Sequence, residues 1–397
     1  MAFSIRKKII LVLLFFVIIA FSGVFGFYFG KSQCQICPPE EIDLSLFWET
    51  WNKLEEKFVS PEKLDVQKMI YGAISGMVKS LEDPYTTFLN PEDAKKFLED
   101  VTGQFEGVGM EIGIRKGQLQ VIAPLEGTPA QRAELRPGDK IIKINDTLTG
   151  DITIDEAVNL IRGPKGTEVT LTIFREEWQT TKEIKVVRAV IEVPSLKWEL
   201  KETSEGEKIA YLRLYQFSEK ASSDFAKAAI EILNSPAEKI ILDLRSNPGG
   251  YLGVAQDISG WFLERGQTVA IEDFGLETEQ KIYKTNGNAR LLQYPIVILI
   301  NQGSASASEI LAAALRDNRG IKLIGEKSFG KGSVQELEIL REGSSLKITV
   351  ARWLTPSGEF ITDKGLEPDI KVEMTEEDYE QDRDPQLDKA IEIIKNL

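Results

Sequence analysis

The chain has 397 residues, of which 42% are hydrophobic and 28% charged, a formal net charge of −14 at pH 7 and no histidine. This composition is that of a folded protein with room for two or three domains, and its acidity disfavours a nucleic-acid partner because phosphate binding needs a clustered positive surface. The missing histidine excludes Ser-His-Asp and Cys-His catalysis and His-Glu-x-x-His zinc peptidases, so a hydrolase here must take its base from Lys, Asp, Glu or Tyr.

A basic cluster at residues 6–8 precedes an apolar run over residues 9–30. A run of roughly 20 apolar residues is long enough to cross a bilayer and longer than the apolar core of a signal peptide. Because the basic cluster lies before the run and acidic residues follow from Glu40, the positive-inside rule places the N-terminus in the cytoplasm. We therefore predict an uncleaved single-pass anchor in the membrane of a bacterial cell, with everything after it on the outer side. Cleavage after Gly26 or Gly30 is the alternative.

Cys34 and Cys37 are the only cysteines and follow the apolar run in a predicted stalk. No further Cys or His is available to complete a metal site with them. A local or intersubunit disulfide and two cysteines in a flexible stalk both remain open interpretations. We expect no metal and no cofactor.

A small helical region is predicted after the stalk. Apolar residues recur at helical spacing in two groups. The groups are Leu46, Trp48, Trp51, Leu54 and Phe58, then Met69, Ile70, Ala73, Met77 and Val78. Asp83-Pro84 breaks the second helix, and a further helix is predicted to begin at Asn90-Pro91 and to end near Val101.

From Phe105 to about Val190 the chain changes to short β-prone runs separated by glycine and proline. Strands are predicted within 107–114, 119–122, 140–144 and 169–174, and short helices at 129–135 and 154–161. Four successive motifs carry a resemblance to PDZ domains: Gly107-Val108-Gly109-Met110, Thr128-Pro129-Ala130, Leu135-Arg136-Pro137-Gly138-Asp139 and Ile144-Asn145. The resemblance implies that backbone N–H groups of the Gly107, Val108, Gly109 and Met110 turn bind a peptide's C-terminal carboxylate, with the peptide added as a strand to the sheet edge.

The region from about 195 to 374 alternates predicted strands and helices. Continuous apolar runs at 240–244 and 295–300 indicate strands covered on both faces, and the covering helices are predicted at 222–233, 254–263 and 307–318. This order favours an α/β layered domain. An acidic segment and a short closing helix around 387–394 follow.

Ser306 lies between the second buried strand and an Ala/Leu-rich helix. A serine at a helix N-terminus is close to free N–H groups that stabilise negative charge, as a nucleophile requires. The alternative is structural, because Ser306-Ala-Ser-Glu309 also fits a capping box.

Lys331 lies between two glycines. A lysine can act as a base only when it is neutral, and burial lowers its pKa toward working pH. An ordinary surface lysine is the alternative. Gln335 is four residues further on and is a candidate to orient the amine, or simply a strand-edge glutamine.

Asp243-Leu-Arg245-Ser-Asn-Pro-Gly-Gly250 follows the first buried strand. A glycine N–H in this turn is a candidate for one half of an oxyanion hole, and a plain strand-to-helix turn is the alternative. Ligand sites of open α/β sheets collect at the carboxyl ends of strands.

With these motifs together, the chain resembles the carboxyl-terminal processing proteases, tail-specific serine peptidases of the S41 family. The most specific matches are Gly303-Ser-Ala-Ser-Ala-Ser-Glu309, Gly330-Lys-Gly-Ser-Val-Gln335 and the Asp243 to Gly250 turn. The resemblance implies that Ser306 is the nucleophile, Lys331 the base and Gln335 the residue that orients it. It also implies an oxyanion hole made by the N–H groups of Gly250 and Ala307, and a crotonase/Clp-like α/β protease core rather than a simple Rossmann sheet.

The predicted architecture is a multidomain α/β protein. Its parts are an anchor at 1–30, a stalk at 31–45, a helical cap at 46–101, a PDZ domain at 102–190, the peptidase core at 191–376 and an acidic tail with a C-terminal helix at 377–397. The resemblance implies endoproteolysis near the C-termini of protein or peptide substrates, with the PDZ domain binding tails or gating the site. Homo-oligomerisation is left open. The rival interpretations are an inactive PDZ adaptor and a crotonase-like acyl-CoA enzyme.

Overall fold

The computed structural model describes residues 42–397 except 116, 126, 151, 176, 276–278, 376, 379–380 and 382. The chain divides into two compact units, Met1–Gly72 and Ala73–Leu397. The predicted anchor and both cysteines lie outside the described residues. Within the described part, no helix combines the length and the apolar character needed to cross a membrane.

The described part of the first unit is helical, as its apolar spacing predicts. It contains α1 (Ser45–Lys57), a 3₁₀ turn (Pro61–Lys63) and the start of α2 (Val66–Lys79). The rings of Phe47 and Trp48 pack edge to face with centroids 5.1 Å apart, and Trp51 lies 6.2 Å from Trp48. The aromatic residues that recur at helical spacing in the sequence therefore pack on one side of α1.

The second unit begins with the end of α2, a short strand β1 (Thr87–Leu89) and helix α3 (Pro91–Thr102). The side chain of Asn90 accepts hydrogen bonds from the N–H groups of Glu92 and Asp93, which confirms the predicted helix start. Strand β1 was not predicted. It pairs with a strand more than 250 residues later in the chain.

The PDZ region is a β-sheet with two short helices. Its strands are β3 (Met110–Arg115), β4 (Gln118–Pro124), β5 (Lys140–Ile144), β6 (Thr147–Leu148), β7 (Glu168–Phe174) and β8 (Lys182–Val187), and its helices are α4 (Pro129–Arg132) and α5 (Ile154–Ile161). The strand order is β3-β4-β5-β7-β8, with β6 on β5, so β3 is an edge among the described strands. Strands β2 (Gln104–Gly107) and β9 (Ala189–Glu192) pair antiparallel, so the chain enters and leaves the domain through one ribbon.

The main sheet of the peptidase region is six-stranded and mostly parallel. Its order is β10 (Leu196–Glu202), β11 (Lys208–Leu214), β12 (Lys239–Asp243), β15 (Ile296–Ile300), β16 (Lys322–Gly325) and β19 (Ile370–Lys371), with only β10 antiparallel to its neighbour. Helices α6 (Ala221–Leu233), α7 (Leu252–Phe262) and α8 (Ala307–Arg319) cover one face, and α9 (Pro385–Lys395) covers the other. Ile240 and Leu242 face the first layer while Ile241 faces α9, which confirms the predicted two-sided burial.

A second, antiparallel sheet lies beside the first and was not predicted from the sequence. It contains β1, β13 (Thr268–Asp273), β14 (Lys281–Lys284), β17 (Ser333–Ile339) and β18 (Ser345–Leu354). Strand β18 pairs with β1, β13 and β17. Lys331 lies two residues before β17, so its position depends on this second sheet as well as on the main sheet.

Candidate active site

Three loops at the carboxyl ends of β12, β15 and β16 are bound to one another. The Asn301 side chain accepts a hydrogen bond from the N–H of Ser246 at 2.7 Å. The Ser304 hydroxyl donates to the carbonyl of Leu244 at 2.8 Å, and the Phe329 N–H donates to the Ser304 carbonyl at 3.0 Å. The three motifs singled out in the sequence therefore meet at one edge of the sheet.

A cavity of about 620 Å³ opens at this edge. All five residues predicted to form the catalytic centre line it: Gly250, Ser306, Ala307, Lys331 and Gln335. Apolar side chains of α3, Phe97, Leu98 and Val101, line it as well. The tertiary structure thus brings together five predicted catalytic residues, the outermost of which, Gly250 and Gln335, are 85 positions apart in the sequence.

Ser306 differs from its two neighbouring serines in exposure and conformation. Ser304 and Ser308 are fully buried, and their hydroxyls donate to the carbonyls of Leu244 and Asn247. Ser306 is half-buried at the N-cap of α8 with φ 55° and ψ −116°, a conformation that costs strain in a non-glycine residue. Of the three hydroxyls, only that of Ser306 belongs to a residue lining the cavity.

Two backbone N–H groups beside Ser306 are unpaired. Those of Gly250 and Ala307 have no acceptor among the described residues, whereas the Gly249 N–H donates to the Asn247 side chain. Gly250 has φ 142°, and a Cβ there would lie 2.3 Å from the Phe217 carbonyl oxygen, so only glycine fits. Unpaired, rigidly held donors next to a hydroxyl are what an oxyanion hole requires.

The buried carboxylate of Glu309 connects the two halves of the centre. It accepts hydrogen bonds from the N–H groups of Ser306 (2.8 Å), Gly330 (2.7 Å) and Lys331 (3.0 Å), and from the hydroxyl of Ser328 (2.6 Å). Burial raises the pKa of Glu309, and these hydrogen bonds oppose the rise. The sequence indicated Glu309 only as a capping partner of Ser306; its contacts with the Lys331 loop depend on tertiary structure.

The side chain of Lys331 is half-buried. It makes no hydrogen bond with any described residue, and the Tyr85 ring centroid is 5.6 Å away. Burial lowers the pKa of Lys331; the positive charge of Lys347 lowers it further, and Glu309 acts in the opposite direction. A hydrogen bond from Ser306 to Lys331 is not formed here, and such contacts often tighten only when substrate binds.

Gln335 lies in the cavity but does not contact the Lys331 amine. Its side-chain amide donates to the Ser333 hydroxyl at 2.6 Å, and no hydrogen bond joins it to Lys331 in the described part of the chain. The expected hydrogen bond between Gln335 and Lys331 is therefore absent. A bulge at Val334/Gln335 shifts the register of β17 against β18 at this point.

The predicted carboxylate-binding turn lies in the PDZ region, apart from the cavity. Gly109 has φ 77°, and a Cβ there would lie 2.5 Å from the Thr128 side chain, which explains the glycine. The Gly109 carbonyl accepts hydrogen bonds from Leu125 and Thr128. The N–H groups of Val108 and Gly109 have no acceptor among the described residues, and the turn leads directly into the edge strand β3.

Asn247, which the sequence analysis did not single out, supports the turn before Gly250. Its fully buried side chain donates to the Leu214 carbonyl at 2.7 Å and accepts from the Gly249 N–H at 2.9 Å. Asn247→Ala leaves both partners buried and unpaired, so we expect it to lower the free energy of unfolding by about 2–4 kcal/mol. Denaturant unfolding of this variant and of Asn234→Ala, at an exposed site, measures the difference. Equal stability of the two variants would contradict the expectation.

Comparisons with known protein families identify the domain types. Residues 208–372 match the peptidase family S41 model, residues 120–175 a PDZ domain model and residues 38–93 the N-terminal domain of the activating protease CtpB. Over 325 residues the chain is 37% identical to the carboxy-terminal processing protease CtpA of Bacillus subtilis, covering 81% of this chain and 68% of that protein. The chain belongs to peptidase family S41. It is a serine-type hydrolase related to the carboxy-terminal processing proteases.

Other relatives extend the comparison. A Staphylococcus aureus protein named "Probable CtpA-like serine protease" is 38% identical over 312 residues, and the chain spans 62% of its length. The solved photosystem II D1 C-terminal processing protease is 28% identical with a TM-score of 0.50, covering 84% of this chain and 89% of that one. A solved S41 protease homologue from Bacteroides fragilis has a TM-score of 0.57 at 17% identity, covering 91% and 99%, and shows the fold alone. The predicted S41 fold with a PDZ domain and mixed α/β structure is confirmed.

Proposed function

We propose that this chain is a membrane-anchored serine endopeptidase that cleaves proteins near their C-termini, with Ser306 as nucleophile and Lys331 as general base. One observation carries the proposal. The hydroxyl-bearing Ser306, the half-buried Lys331 and two unpaired N–H groups border one cavity. A nucleophile, a base with a lowered pKa and oxyanion donors are the parts that acyl transfer needs.

The reaction follows from these positions. The neutral Lys331 amine takes the proton of the Ser306 hydroxyl as its oxygen attacks the scissile carbonyl. The negative oxygen that forms is stabilised by the N–H groups of Gly250 and Ala307. Lys331 then gives its proton to the departing amine, leaving an acyl-enzyme. Lys331 deprotonates a water molecule that attacks the ester, and as the ester C–O bond breaks it returns this proton to the Ser306 oxygen and the second product leaves.

The PDZ region supplies the preference for C-termini in this proposal. A free carboxylate would bind the unpaired N–H groups of Val108 and Gly109, and the peptide would pair with the edge strand β3. The apolar side chains of α3 that line the cavity suit an apolar residue near the cleaved bond.

The membrane part of the proposal rests on the sequence alone. The apolar run at residues 9–30 and the basic cluster before it favour a single span with the catalytic part outside the cytoplasm. In that arrangement the substrates are proteins of the cell envelope with accessible tails. Susceptibility of the catalytic part to protease added outside intact cells would test the orientation.

A free carboxylate at the substrate's end should accelerate cleavage. We expect an unstructured protein with an apolar C-terminus to be cut with a kcat/KM at least about tenfold higher than the same protein with an amidated end, because one charge-assisted contact is lost. Mass spectrometry of the products locates the cleaved bond. Equal rates for both would contradict tail capture, and binding of the tail without cleavage would contradict the peptidase assignment.

A further inference from the structure

A second lysine, Lys347, borders the same cavity as Ser306 and Lys331. It lies on β18, where its backbone pairs with Leu337 of β17 on one side and with Thr87 of β1 on the other. Its side chain is half-buried, and its ammonium lies 5.5 Å from the centroid of the Phe97 ring. Among the described residues it forms no ion pair, in contrast to most lysines at the surface.

The amines of Lys331 and Lys347 have different charged neighbours. Lys331 faces the Glu309 carboxylate, whose oxygens already accept four hydrogen bonds, and Lys347 faces Asp83. Asp83 is itself engaged by the N–H of Tyr85 and the hydroxyl of Thr86. The other titratable side chains lining the cavity are Tyr251, Glu272, Lys281, Tyr283 and Glu336, and Tyr85 lies over the Lys331 amine. No carboxylate in the described part of the chain neutralises either lysine by an ion pair.

Two ammonium groups in one partly desolvated cavity repel each other, so the presence of one makes protonation of the other less favourable. Burial lowers the pKa of both lysines, and a carboxylate opposes this at each, Glu309 at Lys331 and Asp83 at Lys347. The positive charge of Lys347 lowers the pKa of Lys331 further. This balance of charges favours Lys347 as the lysine that stays charged when Lys331 loses its proton.

We propose that Lys347 is a positioning residue whose positive charge in the shared cavity keeps Lys331 neutral and able to accept the Ser306 proton. The proposal rests on the assignment of Lys331 as the base. Lys347 would not touch the reacting atoms. It acts through Lys331, in the way that a neighbouring cation activates an amine elsewhere in enzymology.

The pH dependence of kcat/KM tests this role in the full-length chain. Activity requires neutral Lys331, so it should rise with pH through the pKa of that amine. Lys347→Met removes the charge and keeps the side-chain length. We expect it to move the rising limb upward by about one pH unit, which is roughly tenfold less activity on the limb, with the same plateau at high pH. Lys347→Arg keeps the charge and should retain the wild-type limb.

Other outcomes would overturn the proposal. If the rising part of the pH profile of kcat/KM is unchanged in Lys347→Met, the charge of Lys347 does not act on Lys331. A higher KM with an unchanged limb assigns Lys347 to binding an anionic group of the substrate. An equal loss of the plateau in both variants assigns it to packing. Should Lys347→Met fail to fold, Lys347→Gln replaces it.

A direct titration separates this proposal from the proposed function. In Ser306→Ala, the rate at which an amine-reactive reagent labels Lys331 is followed against pH by peptide mass spectrometry, with no need for activity. Adding Lys347→Met should move the labelling midpoint upward by about one pH unit. No movement refutes the role of Lys347 even if Lys331 is the base. If Lys331→Met still cleaves, the base assignment has failed instead.

Discussion

Replacing Ser306 with alanine is expected to lower kcat/KM for tail cleavage by at least about 10³-fold. The reason is that acyl transfer loses its nucleophile, while the oxyanion donors and the PDZ region remain. The side chain is half-buried at a helix N-cap and removing one oxygen leaves no cavity, so the fold should persist. Steady-state cleavage assays measure kcat/KM, and circular dichroism with thermal unfolding measures whether the fold is retained.

The neighbouring serines provide the matched controls. Ser304→Ala and Ser308→Ala each remove a buried hydroxyl that donates to a carbonyl of the β12 loop, so we expect each to lose about 1–3 kcal/mol of stability. Both should keep cleavage activity within about tenfold of wild type at temperatures where they are folded, because neither residue lines the cavity. If Ser306→Ala cleaves normally and one of the other two variants does not, the nucleophile has been assigned to the wrong serine.

Replacing Lys331 with methionine should reduce kcat/KM by a similar factor, at least about 10³-fold, because the reaction loses its only proton acceptor. Lys331→Arg should not restore activity, since a guanidinium remains protonated in proteins. The neighbouring variant Lys327→Met is the control: Lys327 forms an exposed ion pair with Glu367, outside the cavity, and should cleave like wild type. Normal cleavage by Lys331→Met would show that another group is the base.

We also expect the free energy of unfolding to depend differently on pH in the wild type and in Lys331→Met. Because the folded-state pKa of Lys331 is lowered, the unfolded chain binds more protons between that pKa and the unfolded value near 10.4. The free energy of unfolding of the wild type should therefore include a contribution that rises with pH across this window. Lys331→Met removes this contribution, so the wild type should gain stability relative to Lys331→Met as pH rises. Denaturant unfolding at several pH values measures it.

Much of the main sheet and of the site's chemistry follows from local patterns. The continuous apolar runs at 240–244 and 295–300 predicted β12 and β15, and the helix-period segments after them predicted α7 and α8. The absence of histidine limited the base to a few residue types, and Lys331 between two glycines was the candidate among them. These inferences succeed because hydrophobic period and residue chemistry are properties of short segments.

Contacts between segments that are distant in the sequence could not be predicted from local patterns. β1 lies between two predicted helices, in a segment for which no strand was predicted, yet it pairs with β18 and so brings the Asp83 to Thr86 turn and Tyr85 to the Lys331 amine. Gln335 donates to Ser333 and not to Lys331, at a bulge in β17 that no local pattern indicates. Strand pairing over such separations is decided by the packing of the whole chain.

The amino-acid sequence by itself determined the main strands and helices, the PDZ region, the candidate serine and lysine and the chemistry open to them, because each depends on residue type and near-neighbour spacing. Only the tertiary structure decided which of three serines lies at the cavity, that Glu309 joins the Ser306 and Lys331 loops and that Lys347 shares the cavity with Lys331. The physical reason is that exposure, hydrogen-bond partners and the electrostatic influence on an amine are set by groups brought close in space.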